Sequence, residues 1–350
     1  MRFYIGTYTS KGAAGIYKCE FDATNGSLGE PTLAARSEDP SFLALHPAKR
    51  FLYAVNESDA GHASAFAIDD ATGQLQFLNQ QSTFGSAPCY VSIDSAGRCA
   101  MVANYSSGNV AVLPIQDDGQ LLPASCIDQH HGHGPNPSRQ EGPHAHCIVP
   151  DAAGRFIFSC DLGLDQILIY DLDAGAGKLL AHVPPFASTP SGAGPRHITF
   201  HPTLPFAYVI TEMGNTLCTF RYNASAGTLT PVQVVSTLPA DFTGSSHAAE
   251  VSIHPSHPFL YASNRGDDSI TVFKIDSQTG ELKFLSRHSV AGKNPRHFAI
   301  DPTGLFLLVA NQDTNNIVVF KIDRASGSLS PARAAIEVPA PVCILFDKKN

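Results

Sequence analysis

The sequence predicts an all-β chain: a seven-bladed β-propeller with four antiparallel strands per blade, its ring closed by a C-terminal strand that joins the N-terminal blade. Three observations predict it. A motif recurs about every 50 residues. Each copy is followed by the same order of strands and turns. The two ends of the chain carry complementary parts of one further copy, so residues 1–350 read as a single domain.

The copies can be taken in order. "PSFLALHPAKRFLYAVNE" begins at Pro40, "PCYVSIDSAGRCAMVANY" at Pro88 and "PHAHCIVPDAAGRFIFSCD" at Pro143. "PRHITFHPTLPFAYVITE" begins at Pro195 and "PRHFAIDPTGLFLLVANQ" at Pro295; between them "AEVSIHPSHPFLYASNR" has Ala248 in the proline position. Each continues into an alternating strand and an Asp- or Gly-rich turn, as in "AFAIDDATGQL" and "VFKIDSQTGEL". Four short strands per period describe a propeller blade. The seventh unit is split: "PVCILFD" (341–347) matches only a first strand, and residues 2–28 supply only the rest. Joining them leaves no open sheet edge.

Composition narrows the function. Of 350 residues, 43% are apolar and 15% charged, a globular balance. The formal charge of −8 offers no basic stripe for phosphate neutralisation, which argues against a nucleic-acid partner. No apolar run approaches the ~20 residues of a spanning helix, which argues against a membrane partner. "MRFYIGTYTS" reads as strand from the start, with no secretory leader pattern. The eight cysteines form no CxxC pair and read as reduced core residues, so a cytoplasmic location is expected. There is no Trp, hence no WD signature of a scaffold propeller, and no double-glycine kelch pattern.

Within a unit the first two strands run antiparallel, so the start of one lies beside the end of the other, on one rim. After the proline position come Ser41, Cys89, His144, Arg196, Ala249, Arg296 and Val342, then Phe42, Tyr90, Ala145, His197, Glu250, His297 and Cys343. The ionisable members fall in four consecutive units and avoid the other three. A structural role would recur in every unit, so the asymmetry points to a site. Alternation would send His144, Arg196 and Arg296 one way and His197, Glu250 and His297 the other. The second strands end in Asn56–Glu57, Asn104–Tyr105, Asp161, Glu212, Asn264–Arg265 and Asn311–Gln312. The recurrent Asn reads as a turn-bonding residue, while Arg265 and Gln312 vary beside the ionisable units.

A long connection, residues 122–142, leads into the third unit and holds "HHGHGPNPSRQEG". Loops of this length are binding loops or lids, so Arg139 and Glu141 are expected over the channel mouth. Its histidines read as hydrogen-bonding or exposed side chains rather than zinc ligands, because no HExxH or paired CxxC accompanies them. His46, His201 and His254 occupy a repeating turn where Asp94 and Asp301 substitute, and read as turn residues.

"GPNPSRQEGPHAH", "GPRHITFHP", "AAEVSIHP", "NRGDDSITVF", "NPRHFAIDPTGLFLLVANQ" and the opening "YIGTYTSKGAAGIY" together resemble the bacterial 6-phosphogluconolactonase-type lactonases with a seven-bladed propeller. The family is also similar to the fungal carboxy-muconate lactonising enzyme. The resemblance covers essentially the whole chain. It implies hydrolytic opening of a small anionic sugar lactone, 6-phosphoglucono-1,5-lactone first, in the oxidative pentose phosphate route; another aldono- or urono-lactone, a muconate-type lactonising cycloisomerisation and, after these, a non-enzymatic interaction propeller are the alternatives. No cofactor or metal is expected, and oligomeric state is left open.

Lactone hydrolysis needs an activated water and a donor for the carbonyl oxygen as it gains charge. Glu250 is the first candidate base and His144 the second, with Arg196 as the catalytic cation. Arg265 and Arg296 would clamp an anionic group through their planar forks. His197, His297, Gln312, Arg139 and Glu141 complete the expected substrate-binding set. A carboxylate beside arginine is expected to have a lowered pKa, so Glu250 would be the weaker base. No G-x-S-x-G elbow offers a nucleophilic serine.

Overall fold

A computed structural model describes residues 1–347 as seven antiparallel sheets arranged as blades. In chain order the first six blades span residues 43–82, 88–129, 145–188, 195–236, 247–289 and 295–337. The seventh has Pro341–Phe346 as its innermost strand, followed outward by Arg2–Thr7, Gly15–Asp22, and an edge shared by Ser27–Leu28 and Thr32–Arg36. The split unit thus closes the ring as the sequence predicts.

Closure rests on apolar packing as well as on the strand ladder. Phe346 meets Phe3 at 5.5 Å and Phe21 at 5.8 Å between ring centroids. Phe3, Ile5 and Phe21 of the closing blade share a core cluster with Phe306, Leu308 and Ile317 of the blade before it. The pattern repeats around the ring, where second strands such as FLYAVN and FIFSCD are buried along their whole length. They sit between two neighbouring blades, so both faces are apolar.

Polar staples link successive blades. Tyr4, Tyr53, Tyr208 and Tyr261 on second strands donate to the carbonyls of Gly73, Gly119, Gly280 and Gly327 in the next blade, at 2.9–3.1 Å. Gly119 has φ 86° and lies against the Phe51 ring, where an added Cβ would come within 2.3 Å. The turn histidines serve the same purpose: His46 and His254 donate to Gly97 and Gly304 of the following blade. Asp94 and Asp301 instead accept backbone N–H groups of their own turns.

One boundary differs from the sequence reading. Cys126–Gln129, inside the segment read as loop, is the outer strand of the second blade. Its alternation is weak because an edge strand with Ile127 exposed has little apolar face to display. Among the described residues no helix is long and apolar enough to cross a membrane.

Phe346→Ala empties the seam between both ends of the chain. It should destabilise the fold by about 3–5 kcal/mol. Urea unfolding would show this, and a change under ~1 kcal/mol would mean that the aromatic seam does not hold the ring.

Candidate active site

The innermost strands do not alternate as expected. In six of the seven blades the pairing of first and second strands shifts register at the rim, as between Pro195 and His197, Ala248 and Val251, and Pro295 and His297. A bulge re-aims successive side chains. Arg196 Nη1 consequently lies 3.3 Å from Nε2 of its own neighbour His197. The two sets that alternation would separate converge on one end of the central channel.

Register also corrects one alignment. Ala145 pairs with Asp161 as Pro195 pairs with Thr211 and Pro295 with Asn311. His146, not His144, therefore occupies the Arg196 position, and His144 stands ahead of the strand. The same pairing puts Glu212 one residue past the Asn position, in rank with Glu57, Tyr105, Arg265 and Gln312. Sequence reading names Glu212 at a strand end without counting it among the site residues, so its place beside the arginines was missed. The recurrent Asn side chains do bond backbone: Asn56, Asn104, Asn264 and Asn311 donate to Glu38, Thr83, Thr237 and Val290 carbonyls.

Glu212 is the hub. It accepts from Arg139 Nη2 at 2.7 Å, Arg265 Nη2 at 2.7 Å and Arg196 Nε at 3.1 Å. Burial alone would raise its carboxyl, but Arg265 and Arg196 outweigh that and hold it well below the usual range. Arg196 itself is lowered to about 10 by burial and by Arg265 and Arg296. Its Nη1 also donates to the Ala249 carbonyl at 2.7 Å. Arg265 donates further to the His247 and Ala248 carbonyls. His146 approaches Glu212 at 4.0 Å.

Glu250 lies among rings contributed by several blades. His197 stands edge-on to both Phe42 and Tyr90, and His297 to Phe42, so this layer plugs the channel. The hydrogen bonds assign both tautomers. Arg196 can only donate to His197 Nε2, so Nδ1–H donates to Glu250 Oε2 at 3.1 Å. Ile344 N–H donates to His297 Nδ1, so Nε2–H faces the same oxygen at 3.4 Å. Val251 N–H donates to Oε1 at 3.0 Å. The expected lowering of Glu250 is reversed: burial raises its pKa, and His297 and Arg196 offset this only in part. The arginines bond Glu212 instead.

A third carboxylate sits at the mouth. Tyr8 OH donates to Glu57 Oε2 at 2.8 Å, and Arg296 Nη2 lies 3.9 Å from Glu57 Oε1. Arg296 packs over the Tyr8 ring at 5.6 Å and has no side-chain hydrogen bond among the described residues. Sequence reading names Glu57 only as the end of a second strand and does not consider Tyr8, whose approach to Glu57 depends on closure of the ring.

The connection into the third blade is pinned by buried polar contacts. His130 bonds Asp161 at 2.6 Å and Tyr170 at 3.0 Å. Gln140 donates to the Leu162 carbonyl and Asp165, each at 2.8 Å. Arg139 is thereby delivered to Glu212. His144 stacks on Tyr105 at 4.7 Å, and its Nδ1–H donates to the Tyr105 carbonyl at 3.0 Å. Its Nε2 faces the exposed Glu141 at 3.3 Å. Gln312 donates to Asp313 at 2.9 Å on the opposite side of the mouth. His131 and His133 are exposed, and no group of three or more His, Cys, Asp or Glu among the described residues is arranged to hold a metal ion.

Three buried histidines give the site a pH signature. Burial lowers His297 to about 4, and holds His146 and His197 well below the ordinary value. Between about pH 6.5 and pH 4 the unfolded chain binds more protons than the folded one. Stability is therefore full above that window and falls as pH drops through it. His297→Gln should flatten this slope, read as urea midpoints at several pH values. Identical slopes in both proteins would show that His297 is not held neutral.

Comparison with known proteins supplies the family. The model for "Lactonase, 7-bladed beta-propeller" matches residues 2–346. The 6-phosphogluconolactonase of Bacillus subtilis (strain 168) is 40% identical over 344 residues, covering 98% of this chain and 97% of that protein. The 6-phosphogluconolactonase of Formosa agariphila is 32% identical over 306 residues, 85% of each chain. The solved periplasmic gluconolactonase of Pseudomonas aeruginosa matches with a TM-score of 0.94 at 35% identity, covering 99% of this chain and 98% of that one. The chain belongs to the seven-bladed β-propeller lactonase family.

Proposed function

We propose that this protein hydrolyses an anionic sugar-acid lactone, with 6-phosphoglucono-1,5-lactone as its substrate and 6-phosphogluconate as its product. The observation that carries the reading is the Arg296 guanidinium. Four arginines, Arg139, Arg196, Arg265 and Arg296, meet three carboxylates, Glu57, Glu212 and Glu250, at one end of the channel. Three of the four donate to Glu212, whereas the Arg296 guanidinium has no protein hydrogen bond among the described residues. A buried planar fork with unsatisfied N–H groups suits a phosphate or carboxylate ligand.

The remaining roles follow from which atoms are already engaged. Both Glu250 oxygens take protein donors, so Glu250 serves to fix His197 and His297, and through His197 the Arg196 head. Arg196 adds positive potential behind the mouth, where a developing oxyanion gains most in a low-dielectric wall. His144 handles proton transfer. The Tyr105 carbonyl fixes its Nδ1–H and leaves Nε2 directed at Glu141 and the opening. Arg265, Arg139, Glu141 and Gln312 frame the mouth around the ligand.

A phosphorylated lactone would place the reaction in the oxidative pentose phosphate route and the protein in the cytoplasm. A periplasmic gluconolactonase shares the fold, which favours an unphosphorylated lactone as the second reading. Freshly generated 6-phosphogluconolactone and gluconolactone, each with and without chelator and corrected for spontaneous opening, separate the two. The phosphorylated lactone should turn over fast and independently of chelator. Arg296→Ala should lower its kcat/KM about 100-fold, the size of one charged contact worth about 3 kcal/mol. Equal turnover of both lactones by the wild type would remove phosphate recognition. Turnover of neither would remove the lactonase reading.

A further inference from the structure

We infer that Glu57 is the carboxylate that takes the proton from the attacking water, positioned by Tyr8 and opposed by Arg296; this rests on the lactonase reading. Glu212 has Arg139 on Oε1 and both Arg196 and Arg265 on Oε2. Glu250 has Val251 N–H on Oε1 and two imidazole N–H groups on Oε2. Glu57 has the Tyr8 hydroxyl on Oε2, while Oε1 carries no hydrogen bond among the described residues. Of these three carboxylates it alone has an oxygen without a donor among the described residues.

The open oxygen faces the open cation. Arg296 Nη2 lies 3.9 Å from Glu57 Oε1, too far for a direct hydrogen bond, yet within reach of one water bonded to both. Both side chains are partly open, at 17% for Glu57 and 18% for Arg296, where Glu212 keeps 7%. A water held there has an acceptor for its proton and a fixed positive charge beside the oxygen that attacks.

The step balances without a co-reactant. The water oxygen bonds to the lactone carbonyl carbon as its proton passes to Glu57 Oε1. The tetrahedral oxyanion is stabilised by guanidinium charge. Collapse breaks the bond to the ring oxygen, which takes the Nε2 proton of His144 in its imidazolium form, the form in which Nδ1–H bonds the Tyr105 carbonyl and Nε2–H faces Glu141. The product acid ionises, and solvent exchange returns a proton to His144 and removes one from Glu57.

Glu57→Gln preserves shape and the Tyr8 contact while removing the base. Its kcat on the lactone that the wild type hydrolyses should fall by about 100-fold or more. KM should change by no more than about threefold, because the amide can still meet the substrate. Glu57→Ala should be inactive and regain turnover with added formate, which supplies the missing carboxylate. A purely structural residue would lower the melting temperature and give no formate rescue. A folded Glu57→Gln variant with near wild-type kcat, or formate that restores nothing, overturns this inference alone. A wild type that hydrolyses no lactone overturns the underlying reading instead.

Discussion

One buried carboxylate makes the rest of this site possible, because three guanidiniums share it. Arg139 reaches Glu212 from the connection before the third blade, Arg196 from the first strand of the fourth, and Arg265 from the second strand of the fifth. Like charges brought this close in a low-dielectric interior repel, and the lowering of Arg196 by Arg265 and Arg296 records that repulsion. Glu212 offsets it and ties three separate chain segments to one point. Breaking such a cluster by removing one partner leaves uncompensated buried charge, which is costly. The connection around residues 130–144, pinned by His130 and Gln140, is tied to the same point because its Arg139 is one of the three donors to Glu212.

That arrangement separates polar groups that build the site from those left open. Arg196 spends its donors on Glu212, the Ala249 carbonyl and His197. His197 and His297 spend their protons on Glu250, and remain neutral because burial penalises the charged form. A satisfied polar network of this kind is rigid. Against it, the few unsatisfied atoms at Arg296, Glu57 and His144 gain meaning. They are the positions where a ligand or a water would replace protein partners with little reorganisation, which is what preorganised stabilisation requires.

How much was legible in the sequence follows from what each feature depends on. The blades, their count and the split closure come from local alternation and a repeat, both written in single residues and their spacing. The asymmetric run of Arg196, His197, Glu250, Arg296 and His297 was visible because repetition supplies its own control: the other blades show what an inner strand needs without a site. Side-chain direction was not visible. A bulge inserts one residue without marking the sequence, and six inner strand pairs carry one. His146 was displaced from its true position for the same reason, since "PHAHC" offers two plausible starts and only the pairing of Ala145 with Asp161 decides. Tyr8 and Glu57 lie far apart in sequence, and only closure of the ring brings them together.

Closure therefore carries a chemical as well as a mechanical consequence. Tyr8 follows directly on Arg2–Thr7, the strand that Pro341–Phe346 pairs with, and Tyr8 N–H bonds the Ala340 carbonyl just before that strand. Glu57 belongs to the first blade and Arg296 to the sixth, the two neighbours of the closing blade. The group that bonds Glu57 Oε2 and underlies Arg296 thus stands at the seam where the two ends of the chain meet. An open ring would break the ladder within the closing blade and separate these three residues. The aromatic packing of Phe346 against Phe3 and Phe21 holds the same strand pair at its other end. Stability of the seam and geometry of the open site are therefore linked through Tyr8.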